Sequence, residues 1–215
     1  MRANFLSLPG EIRNTIYNHV LVSEEPLAPG GINSSIAPKI LLANKTIYNE
    51  AASLLYSENT IDLAEYAPRE ISSFLCRIGP GNARNIHCIR LDLSCFIYNA
   101  EYFWTAGEND SDLRALALIR TSCPELKTLV LSQHLYWQLE LELEASASNE
   151  HIEGVLRSLD ARLRAFTSLE TIVAEVVYGA PGYSVLVAQM EGYGWKASSE
   201  GHSPAKDNTG ERGSD

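Results

Sequence analysis

Apolar residues fall into two textures along the chain, a helical one up to about residue 79 and a strand-like one beyond it. From Leu8 onward, Ile12, Ile16 and Val20 recur every four residues, the spacing of one helix face. Pro9 stands where the first turn of a helix tolerates proline, and Glu11 lies near the positive end of the helix dipole. This pattern predicts a first helix over 9–21. The stretch 23–37, rich in Pro, Gly and Ser, reads as a loop. Pro38 then opens a second helix with Ile40, Leu41, Asn44, Ile47, Tyr48, Ala51, Leu54 and Leu55 on its inner, apolar face, ending near Tyr56. A short strand over 60–63 and a third helix from Pro68 to Gly79 follow.

After Gly79 three segments share one spacing, with apolar residues at their first, fourth and sixth places. They are Ile86, Ile89, Leu91; Leu126, Leu129, Leu131; and Leu169, Ile172, Ala174, so that the unit recurs after 40 and then 43 residues. Helical patterns starting at Ser111 and Asn149 lie between them. Strand alternating with helix predicts parallel pairing with right-handed crossovers. The spacing matches the strand of a leucine-rich repeat; a small open α/β sheet with merely apolar strands is the other reading. The run LELELEAS at 139–146 alternates strictly, which predicts an exposed strand or hairpin arm with Glu140, Glu142 and Glu144 facing water. A helix continuous with the one after it is the alternative. Beyond Trp195 no large apolar residue remains, and 197–215 is expected to be a disordered tail.

Composition narrows the function. With 45% hydrophobic and 20% charged residues among 215, the chain can bury a proper core. Its net charge of −10 argues against nucleic acid and against an anionic membrane surface as partners. No apolar run reaches the roughly 18 residues of a spanning helix, and no secretory signal is visible, so an intracellular place, cytoplasmic or nuclear, is expected. Cys76, Cys88, Cys95 and Cys123 fit no zinc spacing and read as free, buried thiols.

Candidate chemistry is thin. Phosphate-cradling glycine motifs, HExxH and GxSxG are absent, and no cofactor or metal site is expected. His87 and Cys88 are neighbours in a strand and point to opposite faces. The one location for a small hydrolase or ligand-binding site is the shared edge of strand ends carrying Cys95, His134 and Tyr178. The aromatic group Tyr98, Tyr102, Phe103 and Trp104 lies in an insertion after the first repeat strand. It is either hot-spot material for a protein partner or a lid over the sheet.

The segments LPGEIRNTIY (Leu8 to Tyr17) and ANKTIYNEAASLLYSENTI (Ala43 to Ile61) resemble, in order and separation, the F-box-like domains abundant in filamentous fungi. Asn44-Lys45 stands where that family usually has Cys-Arg, and the loop from Ser23 to Ala37 is longer than a compact F-box uses. The resemblance implies a helical module over 1–63 that docks the Skp-family adaptor of a cullin-type ubiquitin ligase. Leu8, Pro9, Ile12, Ile16 and Val20 would then be divided between that interface and the module's own core, whereas in the alternative they simply pack on the second helix. A βα array over 64–196, with Tyr102, Phe103 and Trp104, would face an unknown substrate protein. The expectation is thus a non-enzymatic α/β interaction protein; a free-standing scaffold without adaptor binding is the alternative.

Overall fold

The computed structural model describes residues 5–30, 36–94, 111–145 and 149–199. Short 3-10 turns occupy Phe5–Ser7 and Pro38–Leu42. The helices are α1 (Gly10–Leu21), α2 (Lys45–Ser57), α3 (Pro68–Ile78), α4 (Pro80–Ala83), α5 (Ser111–Ser122), α6 (Gln133–Glu144), α7 (Asn149–Leu163) and α8 (Tyr183–Gly192). The strands are β1 (Thr60–Asp62), β2 (Cys88–Leu91), β3 (Thr128–Leu131), β4 (Thr171–Glu175) and β5 (Lys196–Ser198). All five strands pair in parallel, and their spatial order is their order in the chain.

A right-handed crossover always returns to the same side of the sheet, so strands laid down one after another keep their helices on one face. The other face is left to the strands' alternate residues.

The register carries the expected spacing. Ile89 lies opposite Leu129 and Leu129 opposite Ile172; Leu91 lies opposite Leu131 and Leu131 opposite Ala174. All six are at most 2% exposed and share one apolar cluster with Ile119 of α5, Leu135 and Leu139 of α6, Leu156 of α7 and Met190 of α8. Val130 and Val173 alternate to the opposite face and, though 6% and 5% exposed, do not belong to this cluster.

A second, smaller cluster of Tyr17, Leu21, Leu27, Ile47, Ala51 and Leu55 joins α1 to α2. Leu27 bridges the edge of β1: its N–H donates to the Thr60 carbonyl at 2.7 Å, and the Asp62 N–H donates to its own carbonyl at 2.9 Å. β1 itself belongs to the sheet, with Ile61 and Leu63 in the larger cluster.

Asn59 ties the two helices' ends together. Its side-chain amide donates to the Leu21 and Leu55 carbonyls, both at 2.8 Å, and its oxygen accepts from the Ser23 N–H at 2.8 Å. The carbonyls at a helix C-terminus have no partner within the helix, and here one 1%-exposed side chain serves two such ends.

Four expectations are corrected. The run 139–146 is not a strand: residues through Glu144 form the second half of α6, with Leu139 buried, Glu140 3% exposed and Leu141 54% exposed. Leu and Glu are strong helix formers and the run has no β-branched residue, so propensity overrides the period of two. The second helix is divided, because Asn44 adopts an extended backbone and its side chain accepts from the Ile47 N–H at 2.9 Å, capping α2. The chain does not leave the fold at 196: Lys196–Ser198 pairs with Val173–Glu175 as β5, just after Trp195 has anchored the segment with its indole N–H on Asp160 at 2.8 Å. Finally, Cys76 is exposed on α3, whereas Cys88 is half-buried and Cys123 buried.

Candidate partner-binding site

Helix α1 starts at Gly10 because Pro9 holds the extended conformation of an N-cap, and its carbonyl accepts from the Ile12 and Arg13 N–H groups at 3.1 Å each. The buried face of α1 is one residue out of phase with the apolar stripe. Arg13, Tyr17 and Leu21, spaced i, i+4, i+8, face α2, and both Tyr17 and Leu21 have no exposed surface.

Three polar groups lock that face. Arg13 Nε donates to Glu50 Oε2 at 2.9 Å, its Nη2 reaches Oε1, and its Nη1 donates to the Leu8 carbonyl at 2.6 Å. The Tyr17 hydroxyl adds a bond to Glu50 Oε2 at 2.9 Å, while its ring meets Phe5 edge-on at 5.6 Å. Bonds from Arg13 and then Tyr17 hold the Glu50 carboxyl below its ordinary pKa. Burial first, and Glu50 second, push the Tyr17 phenol up. The fork-to-carboxylate geometry fixes the crossing of α1 on α2 and also holds the backbone that presents Leu8 and Pro9.

Because the core contacts are made by Tyr17 and Leu21, the expected stripe is displaced outward. Pro9 is exposed, Ile12 is 50% exposed, and Leu8, Ile16 and Val20 are half-buried. Among the described residues Val20 packs against the small cluster, whereas Ile12 and Ile16 do not join it. The reading in which Ile12 and Ile16 close the internal core is therefore corrected: the burial phase of α1 puts them outside it. Leu42, 84% exposed, and Tyr48, 41% exposed, add apolar surface elsewhere on this module.

A second polar feature lies on the sheet face opposite the main cluster, where β1, β2 and β4 contribute Asp62, Arg90 and Glu175. Arg90 Nε and Nη2 donate to Glu175 Oε1 and Oε2 at 2.8 Å each, and Nη1 donates to both Asp62 oxygens at 3.2 Å. Glu175 Oε2 also accepts from the Gln133 N–H, in the first turn of α6, at 3.2 Å. These residues border a cavity of about 290 Å3 that Pro26 and Ser198 also line. Arg90's charge is already matched by two carboxylates, which makes this a clasp across the sheet rather than a prepared anion site.

The strand-end positions do not assemble a nucleophile. His134 lies in the first turn of α6, its Nδ1 at 3.3 Å from Asp92 Oδ2. The Ser94 hydroxyl donates to the same Oδ2 at 3.0 Å, so the carboxylate stands between hydroxyl and imidazole instead of behind the imidazole. Tyr178 is 79% exposed and leans edge-on against Tyr183 at 5.3 Å. Cys95, Tyr98, Tyr102, Phe103 and Trp104 lie outside the described residues. Among the described residues no group of three or more His, Cys, Asp or Glu is placed to hold a metal ion, and no helix is long and apolar enough to cross a membrane.

Sequence reasoning missed Arg90 and Glu175, which are 85 positions apart and carry no local pattern. It also passed over Arg13, Tyr17 and Glu50, although all three lie inside the two segments that carry the family resemblance. No family model matches the chain, and neither a search of curated proteins nor one of solved structures finds a similar protein.

Proposed function

We propose that this chain is a protein-interaction subunit whose N-terminal helices form an F-box-like module that docks the Skp-family adaptor of a cullin-type ubiquitin ligase. One observation carries the reading: α1 turns Ile12 outward, beside Pro9 and the half-buried Ile16, while Tyr17 and Leu21 are its fully buried residues in the inner core, with Val20 packed at the edge. An amphipathic helix with apolar anchors on its outer side is what a partner's hydrophobic groove accepts. The locked Arg13–Glu50–Tyr17 network supplies rigidity, so little order has to be gained on binding.

In this reading the βα half is a short leucine-rich-repeat-like array that holds a second protein. Its sequential parallel strands and one-sided helices favour that description over an open sheet covered on both faces. Such a protein needs no catalytic group; it raises the effective concentration of one partner near another.

The test is co-purification of the chain with a fungal Skp-family adaptor, alongside Ile12→Asp and Pro9→Ala variants. Retention of the adaptor by the parent chain and its loss from a still-folded Ile12→Asp variant is the expected result. A folded parent chain that fails to retain the adaptor would overturn the adaptor reading.

A further inference from the structure

Among the described residues a second unpartnered surface lies on α6, away from the α1 stripe. His134, Trp137, Leu141 and Glu144 follow one another at spacings of three and four along its outer face, and all are exposed. Trp137 is 45% and Leu141 54% exposed. Trp137 meets Tyr136 edge-on at 6.4 Å, and Tyr136, only 1% exposed, is packed into the core. One edge of the indole thus meets a ring held in the core. Tyr178, just after β4, is another strongly exposed ring among the described residues.

Along this segment of the chain the charge has one sign. Between Lys127 and Arg157 there is no Lys or Arg, and Glu140, Glu142, Glu144, Glu150 and Glu153 all fall in that interval. Glu140 is buried, its Oε1 accepting from the Gly182 N–H at 3.1 Å, and Glu153 pairs with Arg157. Glu142, Glu144 and Glu150 have no ion pair among the described residues. An exposed Trp and Leu with unpaired carboxylates beside them are complementary to a peptide that alternates apolar and cationic side chains. Lys or Arg would reach both the carboxylates and the face of the indole.

We infer that the outer face of α6 is a docking surface for a basic amphipathic segment of a partner protein, with Trp137 and Leu141 as anchors and Glu142 and Glu144 as the charged rim. A second copy of this chain is disfavoured as the occupant, because two such faces would bring like-charged carboxylates together. The inference does not rest on adaptor binding by α1.

The test uses the full chain and a fluorescent Leu/Lys amphipathic helical peptide, with polylysine as the charge-only control, followed by anisotropy at several salt concentrations. The double variant Trp137→Ser/Leu141→Ser is expected to weaken peptide binding by at least about tenfold, as loss of an aromatic anchor does. Glu142→Gln/Glu144→Gln should weaken it and flatten its salt dependence. Ile12→Asp should leave it unchanged, which separates this surface from the adaptor site. The inference is overturned if the parent chain does not bind the peptide or binds polylysine equally well. Equally tight binding by the folded double Ser variant, or a Trp137-dependent dimer in sedimentation, would overturn it too.

Discussion

Arg90 on β2 reaches across the whole width of β3 to grip Glu175 on β4 with two hydrogen bonds of 2.8 Å. Neighbouring strands are about 4.8 Å apart, and the register sets Val130 opposite Arg90 and Val173 opposite Val130, so the side chain runs diagonally past Val130 to Glu175, two residues beyond Val173. This contributes to the low exposure of Val130, 6%, outside the main apolar cluster. The third arm, on Asp62, ties in β1, so one guanidinium connects strands that are not all adjacent.

Replacing Arg90 by Met should therefore cost more than an ordinary surface ion pair. The Glu175 side chain is only 12% exposed, and the substitution leaves it without its main partner. A loss of about 2 kcal/mol is expected, between the values for exposed and fully buried pairs. Urea unfolding of Arg90→Met, Glu175→Leu and the double variant checks it. Purely additive losses would show that the clasp contributes nothing.

Asn59 is another polar group on which the packing depends. Asn59→Leu leaves the Leu21 and Leu55 carbonyls and the Ser23 N–H without their side-chain partner in a closed environment. The expected loss is about 3 kcal/mol, with the junction between α1 and α2 becoming open to hydrogen exchange before the sheet does. Uniform loss of protection throughout the chain would contradict this.

These two residues also mark where the sequence stops being informative. The spacing at Ile89, Leu129 and Ile172 was legible because side chains in a strand alternate, so the apolar pattern sets the register directly. The phase of α1 was not, because its inner face is built from Arg13 and Tyr17, which bury long apolar stems while their polar tips bond to Glu50. The purely apolar Ile12 therefore looked like core and is half exposed. In LELELE two periods compete, and the strict alternation hid the helix propensity of Leu and Glu that, with Leu139 packed inside and Leu141 outside, decides between them. Contacts such as Arg90 to Glu175 leave no local trace at all.

Acid should loosen the N-terminal module specifically. Glu50 is held below its ordinary value of 4.5 in the folded chain, first by Arg13 and then by Tyr17. A carboxyl depressed in this way stabilises the fold above the unfolded pKa, and that contribution is lost as the pH falls through the folded one. Thermal unfolding of the parent chain should consequently lose more stability below about pH 4.5 than that of Glu50→Gln. Parallel acid profiles for the two would remove Glu50 from the account.

Thiol reactivity should follow burial. Burial pushes the Cys123 thiol up to about 12 and raises that of Cys88, whereas Cys76 is exposed on α3. The thiolate is the reacting species, so iodoacetamide at neutral pH should modify Cys76 well before Cys88 or Cys123 in the native chain. Peptide mapping by mass spectrometry reads the order directly, and early labelling of Cys123 would mean that the α5 end opens readily.

The decisive contrast lies on α1 itself, between a residue that faces inward and one that faces out. Leu21→Ala removes a side chain with no exposed surface from the small cluster, and should cost about 3 kcal/mol. Ile12→Asp changes a half-exposed position and should leave stability within about 0.5 kcal/mol of the parent. If the outer face binds a partner, the ranking inverts for association: Ile12→Asp abolishes it, because a charge cannot enter an apolar groove, while Leu21→Ala binds normally at temperatures where it is folded. Calorimetry and co-purification on the same two variants measure both rankings. If Ile12→Asp proved the more destabilising of the two, the outward phase of α1 would be wrong, and the adaptor reading would fall with it.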